Sequence, residues 1–494
     1  MPYPLLYEIN TRCWLRDLSQ ELGRAVTLAD IPEKEFHDWQ RLGFTHIWLM
    51  GVWTGGLRSR AQALQVEDLR RAYSEALPDW TEKDVGGSPY AIAGYQVDPQ
   101  FGGEKALVAF RRNLQDTGLK LMLDFVPNHL GLDHPWLAER PQLFVHLPEP
   151  GPDALTLRTP AGQVNLAYGK DPYCSPWTDT VQLDYRRAET RAAMQTLLAN
   201  VSELCDGVRC DMAMLVLNDV FARTWERSPS NETAHPNEFW SDAISAVRKQ
   251  HPEFEFLAEV YWGIEDRLQA LGFNYTYDKV LYDELVARNA AAVQRHLLGL
   301  SPQRLAASAH FLENHDERRI ASLLDFPQHR AAALVILGLP GMRFLHEGQL
   351  LGFRRRLPVQ LVRRTRETTD ADIKTLYEDL LIRLQGSAVG QGKADLLQPR
   401  SAWDGNPTAQ NFVLVQWTLG ETSFDLVVVN LAPHQGQCYA PVRLPGHSPA
   451  SWSMTDVLGK EKYIRNTDEL RSQGLYLDVG ARVGQIFHFE PVAA

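Results

Sequence analysis

Eight short apolar runs, separated by amphipathic helical stretches, restrict the folds open to this chain more than any other feature. They are Leu5–Asn10, Thr45–Met50, Leu119–Phe125, Gly207–Asp211, Phe254–Glu259, Phe273–Tyr277, Ala309–Asn314 and Met342–His346. Phe36–Leu42 has helical spacing and stops at Gly43; Leu107–Leu114 does the same and is followed by Gly118. Strand-length runs alternating with helices predict a parallel sheet with crossover connections. Eight such units predict a closed (β/α)8 TIM barrel, an α/β fold of about 250 residues plus insertions. An open doubly wound sheet is the alternative, but no glycine-rich phosphate loop follows the first run.

The spacing of the runs is uneven. Between the third and fourth, the stretch from His129 to about Tyr185 is rich in proline, glycine and aromatics, among them Pro135, Trp136, Pro148, Pro152 and Trp177. It predicts an irregular subdomain inserted after strand 3. A helix over Leu376–Leu384 ends near Gly386, and the glycine-rich segment 385–392 reads as a boundary. Beyond it, Phe412–Trp417, Phe424–Asn430, Val442–Leu444 and Val483–Phe489 predict a C-terminal antiparallel β-sandwich domain. The expected division is therefore barrel over 1–129, inserted subdomain over 130–185, barrel again over 186–386, and β domain over 387–494.

Composition removes several function classes. A formal net charge of -11 repels phosphate backbones, so nucleic acid is not an expected partner. No uncharged apolar run approaches the roughly 18–20 residues that span a bilayer; the best, Ala331–Leu339, is far shorter, and no membrane partner is expected. The N-terminus lacks a basic start followed by an apolar run, which argues against a secretory signal. The five cysteines, an odd and sparse set, read as free thiols of a reducing compartment, so the expected location is cytoplasmic. Cys205 and Cys210 read as small buried residues beside a strand, not as a zinc pair. The sequence is silent on oligomeric state.

Carboxylates close several of the strand-like runs: Asp124, Asp211 and Glu259, with Asp316 just after another. In a barrel, the C-terminal strand ends converge on one face, where active sites lie. A lone acid in such a place is usually a cap or a surface residue; four in equivalent places are not. Cleaving a glycosidic bond needs two carboxyl groups in different protonation states. Arg209 shares a strand face with Asp211, two residues on, and is expected to keep it ionised. Glu259 lies between Phe256-Leu257-Ala258 and Val260-Tyr261-Trp262, a setting that favours the protonated acid.

The motifs around these acids resemble those of the α-amylase family of glycoside hydrolases. Asp124-Phe125-Val126-Pro127-Asn128-His129 resembles its first motif and Gly207-Val208-Arg209-Cys210-Asp211 its second. Phe256 to Trp262 resembles the third, Phe311-Leu312-Glu313-Asn314-His315-Asp316 the fourth, and Gln182-Leu183-Asp184-Tyr185 the extra motif closing the inserted subdomain. The resemblance implies a retaining enzyme acting on α-glucosidic bonds of an α-glucan or oligosaccharide. Asp211 would be nucleophile, Glu259 acid and then base, and Asp316 would stabilise the distorted ring. Arg209 would orient Asp211, His129 and His315 would bind the sugar, and Tyr90, in Ser88-Pro89-Tyr90, would stack beneath it. Asp124 and Asn128 would support the site. A sugar hydroxyl replacing water would make the same chemistry a transglycosylation or isomerisation. A non-catalytic carbohydrate-binding relative is the reading from another class, and the presence of all three acids speaks against it.

The chain also departs from the pattern. Where starch-cleaving members commonly carry Lys-His after the nucleophile, it has Met214 and Leu215, so neither standard endo-amylase action nor calcium is expected; Asn128 alone could serve as a calcium ligand. The chemistry needs no redox cofactor. Arg354, Arg355, Arg356, Arg363, Arg364 and Arg366 follow the eighth run, as a solvated face or as a site for an anionic sugar. Trp53, Trp136, Trp177 and Trp262 are the expected stacking surfaces.

Overall fold

The computed structural model describes residues 2–159, 162–226, 228, 235–446 and 448–492. Eight parallel strands close a barrel. They are β1 (Leu5–Asn10), β2 (His46–Met50), β3 (Lys120–Phe125), β4 (Gly207–Cys210), β5 (Glu255–Ala258), β6 (Tyr275–Tyr277), β7 (Ser308–Phe311) and β8 (Met342–His346). Each neighbours the next in sequence, and β1 closes the ring on β8, with Tyr7 opposite Leu345, and on β2, with Tyr7 opposite Ile47. All eight expected runs are barrel strands; the sixth begins two residues later than its apolar pattern, at Tyr275.

The strands are apolar on both faces because both are covered. Leu121 and Leu123 point outward into the large core shared with Phe110 and Leu114 of helix Gly103–Asp116. Met122 points inward, packing with Leu6, Trp48, Leu257, Phe311 and Phe344 in the barrel interior. The two-residue alternation then decides the rest. Continuing each inward row toward the C-terminal mouth gives Glu8 on β1, Asp124 on β3, Arg209 and Asp211 at β4, and Glu259 after β5.

Two excursions build the mouth. After β2, strand Trp53–Gly55 pairs with Ile92–Val97, and helices α1 (Leu57–Gln65) and α2 (Glu67–Ala76) lie between them. After β3, His129–Gly131 pairs antiparallel with Thr180–Gln182, and the hairpin Ala154–Thr159 with Gly162–Ala167 stands between. The C-terminal region packs a six-stranded on a three-stranded antiparallel sheet around Phe412, Leu426, Trp452, Leu477 and Phe487. It docks on the barrel helix Phe326–Gly338, where Trp417 Nε1 donates to the Gly338 carbonyl at 2.8 Å. One expected strand is absent: Val442–Leu444 is irregular, and the strand lies upstream at Gly436–Ala440. Prolines at 441 and 445 flank it, removing ladder donors, and the Gln416 side chain instead serves both backbone groups of Arg443, at 2.7 and 2.8 Å. Among the described residues, no helix is long and apolar enough to cross a membrane, and all five cysteines are free, Cys174 alone being exposed.

Candidate active site

Arg209 is the centre of the barrel mouth. Its side chain is inaccessible to solvent and is ringed by Trp48, Tyr90 and Tyr277, with the guanidinium carbon 5.2–5.7 Å from their ring centroids. Nη1 donates to Asp211 Oδ1 at 2.6 Å, and Nη2 makes an ion pair with Glu259 Oε2 at 2.7 Å that lacks directed N–H alignment. One cation thus bridges two carboxyl groups on adjacent strands. Glu259 takes two further bonds, from the Met212 backbone N–H to Oε2 at 2.7 Å and from the Tyr261 hydroxyl to Oε1 at 2.8 Å. Met212 adopts a left-handed backbone (φ 42°), uncommon for a side-chain-bearing residue; that turn is what aims its N–H at the acid.

Burial is the largest influence on both acids. It pushes Glu259 up to about 7; Arg209 opposes the shift, while the negative charges of Asp211 and Asp316 reinforce it. Burial raises Asp211 as well, against both the charge and the hydrogen bond of Arg209. Arg209 was expected to hold Asp211 ionised; in the structure its pull is outweighed by desolvation. The asymmetry survives in the contacts, since Asp211 alone receives a directed guanidinium bond.

Asp316 faces the pair from the β7 side and opens onto the cleft, its side chain 44% exposed. The desolvation that the mouth imposes is outweighed by His315, whose Nε2 lies 3.0 Å from Asp316 Oδ2, and Asp316 is driven far below the usual carboxylate range. His315 is itself pushed well above its ordinary value: burial opposes its charge, but Asp316 and Glu8 outweigh burial. Its Nδ1 bonds the carboxylate of Glu8, a fully buried residue of β1. Tyr90 stacks on His315 with centroids 5.3 Å apart, its hydroxyl 3.0 Å from Nε2.

Asp124 and Asn128 sit behind these groups. Asp124 accepts from Gly51 N at 2.7 Å and Trp48 Nε1 at 3.1 Å, and burial lifts it to about 7. Asn128 exchanges amide hydrogen bonds with Gln182 at 2.9 and 3.2 Å, tying the inserted subdomain to the barrel. His129 is buried against Trp177, and desolvation lowers it to about 4, leaving it neutral at ordinary pH. Asp211, Glu259, Asp316, Tyr90 and His129 line one cleft of about 400 Å3, with Arg209 and His315 directly behind. Glu8, Met212, Tyr261 and Tyr277 were not singled out in the sequence. The two-residue alternation could have found Glu8 and Tyr277, both on barrel strands; Met212 and Tyr261 depend on loop geometry.

The catalytic-domain model of α-amylases matches residues 38–150. Alpha-amylase 3 of Dictyoglomus thermophilum is 22% identical over 317 residues, covering 61% of this chain and 60% of that protein. In this region the chain is similar to the α-amylase family. An α-1,4-glucan:maltose-1-phosphate maltosyltransferase of Bifidobacterium longum is 25% identical over 202 residues, 39% of this chain and 23% of that one. The chain therefore spans less than two thirds of these curated relatives. A maltogenic α-amylase, AmyB of Thermotoga neapolitana, superposes with a TM-score of 0.67 at 17% identity and covers 99% of both chains, which establishes the shared fold.

Several peripheral expectations change. Trp177 lines the cleft, but Trp53 is buried, packed on Tyr95 and donating from Nε1 to the Asp124 carbonyl at 2.7 Å, so it offers no sugar a face. Trp136 lies away from the cleft under Arg140. Trp262 is 40% exposed and meets Tyr173, 73% exposed, edge to face at 5.1 Å. Half of the arginine run is consumed in ion pairs: Arg363 with Asp84 and Asp79, Arg364 with Asp17 and Glu347, Arg354 with Asp370. Arg356 helps His315 and Arg209 to lower Asp316. Both side-chain atoms of Asn128 are engaged by Gln182.

Proposed function

We propose that this chain is a retaining glycoside hydrolase that cleaves α-glucosidic bonds of oligo- or polysaccharides through a glycosyl-enzyme intermediate on Asp211. One observation carries the reading: a single buried guanidinium joins Asp211 and Glu259, while Asp316 faces them across the same cleft. Two oxygens held by one guanidinium favour the carboxyl spacing of about 5–5.5 Å that retaining enzymes use over the roughly 6.5–9.5 Å of inverting ones.

The roles follow from the contacts. Arg209 occupies Asp211 Oδ1, leaving Oδ2 to attack the anomeric carbon. Glu259, raised to about 7, gives its proton to the glycosidic oxygen as that bond breaks, and the leaving sugar departs with a new hydroxyl. The Glu259 carboxylate then takes a proton from water, whose oxygen displaces Asp211 from the anomeric carbon. Asp316, ionised over the whole working range, accepts sugar hydroxyls and supports the positive ring. His315 holds it there, and neutral His129 and the Tyr90 ring meet the sugar. None of these steps calls on a cofactor. Free, mostly buried cysteines support a cytoplasmic location. Transfer to a sugar hydroxyl is the second reading, favoured by the exposed Trp262 and Tyr173 beside the acid's loop.

The test is a screen of maltooligosaccharides, sucrose and trehalose with the product anomer followed by NMR. The α anomer is expected first, and Glu259→Gln should lose about 10²–10⁴ in turnover. Initial β product, or an unimpaired variant, would refute the assignment.

A further inference from the structure

The mouth of the barrel is built very differently on its two sides. On one side, α1, α2 and the segment after β8 present Gln62, Ala63, Val66, Leu69, Val359 and Gln360 to the cleft. These pieces are fused. The Gly86 N–H donates to the Gln360 carbonyl at 2.8 Å and the Val362 N–H to the Asp84 carbonyl at 2.9 Å. Arg363 clamps Asp84 at 2.7 Å and Asp79 at 3.1 Å. A private apolar cluster of Ala63, Tyr73, Ala76, Leu77, Val85 and Leu361 fills the space between them. The start of α1 is tied to the inserted subdomain as well: Asp133 accepts from Arg58 N at 2.9 Å, and Ser59 Oγ donates to the Asp179 carbonyl at 2.9 Å. This is a built wall, anchored by hydrogen bonds and ion pairs along its length.

Topology says which end of a sugar chain the wall meets. It rises from the strands that flank β1, namely β2 and β8, and β1 stands opposite β5 in the ring. Glu259 follows β5. The acid protonates the oxygen of the leaving sugar, so the leaving part extends over the β5 side. The sugar attacked by Asp211, with anything attached to its non-reducing end, points toward the wall. On the acid's side stand the exposed Tyr173 and Trp262, the latter held in a left-handed backbone (φ 70°) that costs energy for a tryptophan. The cleft, of about 400 Å3, is at the low end of the range of about 300–1,000 Å3 that small ligands occupy.

We infer that the fused wall of α1, α2 and residues 357–363 closes the non-reducing end of the site, so that this protein removes short units from chain ends and does not cut within chains. This rests on the glycosidase reading above. The experiment compares reducing-end-labelled maltoheptaose with the same sugar blocked at its non-reducing 4- and 6-hydroxyls. The free chain is expected to lose short units stepwise, the label staying on the longer fragment, and the blocked chain to react at least 100-fold more slowly. Equal turnover of the two, with label in mid-length products, would overturn the wall while leaving the glycosidase assignment standing. Failure to cleave either would overturn both. The paired trimming Leu69→Ala with Val359→Ala should raise the blocked-to-free ratio at least tenfold in a protein of unchanged melting temperature. An unchanged ratio in that folded variant would also count against the wall.

Discussion

The β4–β5 side of the cleft and the β7–β1 side hold their acids in opposite ways. Glu259 is buried and shares one cation with Asp211, and it is raised to about 7. Asp316 opens to the cleft and pairs with Nε2 of His315, whose Nδ1 is held by Glu8, and it is strongly lowered. In the proposed mechanism, the carboxyl group that gives up a proton near neutrality is crowded by like charge and starved of water, and the one that stays ionised faces an imidazolium. The cation on the second side is also manufactured. His315 would be neutral if burial alone acted, and the buried Glu8 behind it makes the charge affordable.

The largest effect should come from removing the shared cation. Arg209→Leu leaves two buried carboxyl groups unpaired, a loss of about 3–5 kcal/mol in stability, and turnover should fall to background. Both acids would rise further. A native state that binds more protons than the unfolded chain loses stability as pH rises, so the deficit should be greater at pH 8 than at pH 5 in denaturant titrations. A deficit that shrinks with rising pH would break the contrast drawn here. Glu8→Gln tests the other side with a smaller effect. Losing a charge-assisted bond of about 1.5–3 kcal/mol, roughly 10–100-fold, should cut kcat/KM, and the cut should deepen as pH rises because His315 then sheds its proton within the working range. A pH-independent loss would make Glu8 a packing residue only.

The barrel and the acids were legible in the sequence for one reason. A strand's C-terminal end faces the mouth, which places Asp124, Asp211 and Glu259, and strand period is fixed at two, so Arg209 shares the face of Asp211. Glu8 obeys the same rule, but its partner His315 lies on a loop 307 residues away, and no local pattern links them. The wall was illegible for the same cause: the excursion after β2 and residues 357–363 are far apart in the chain, and only their backbone hydrogen bonds, the Arg363 pairs with Asp84 and Asp79 and a shared apolar cluster make them one object. Trp53 was misjudged because a residue just past a strand end reads as exposed, whereas the excursion after β2 folds back over it. The Val442–Leu444 run failed because apolar content was weighed above the two prolines around it.

The smallest predicted effect asks how sharply the acid's own side is tuned. The Tyr261 hydroxyl donates to Glu259 Oε1 at 2.8 Å, a bond that favours the ionised carboxylate. It works against the burial that raises Glu259, on the same side as Arg209 and the Met212 N–H. The proposed mechanism needs Glu259 protonated at the first step, hence kcat/KM should fall as pH climbs through about 7 in the native protein. Tyr261→Phe removes the opposing bond, worth about 0.5–1.5 kcal/mol, and should carry that alkaline limb upward by one pH unit at most, with the optimum rate within a few-fold of the parent. A limb that moves downward instead would mean the hydroxyl accepts the proton of neutral Glu259, and the acid would then be held protonated by its neighbour as well as by its burial.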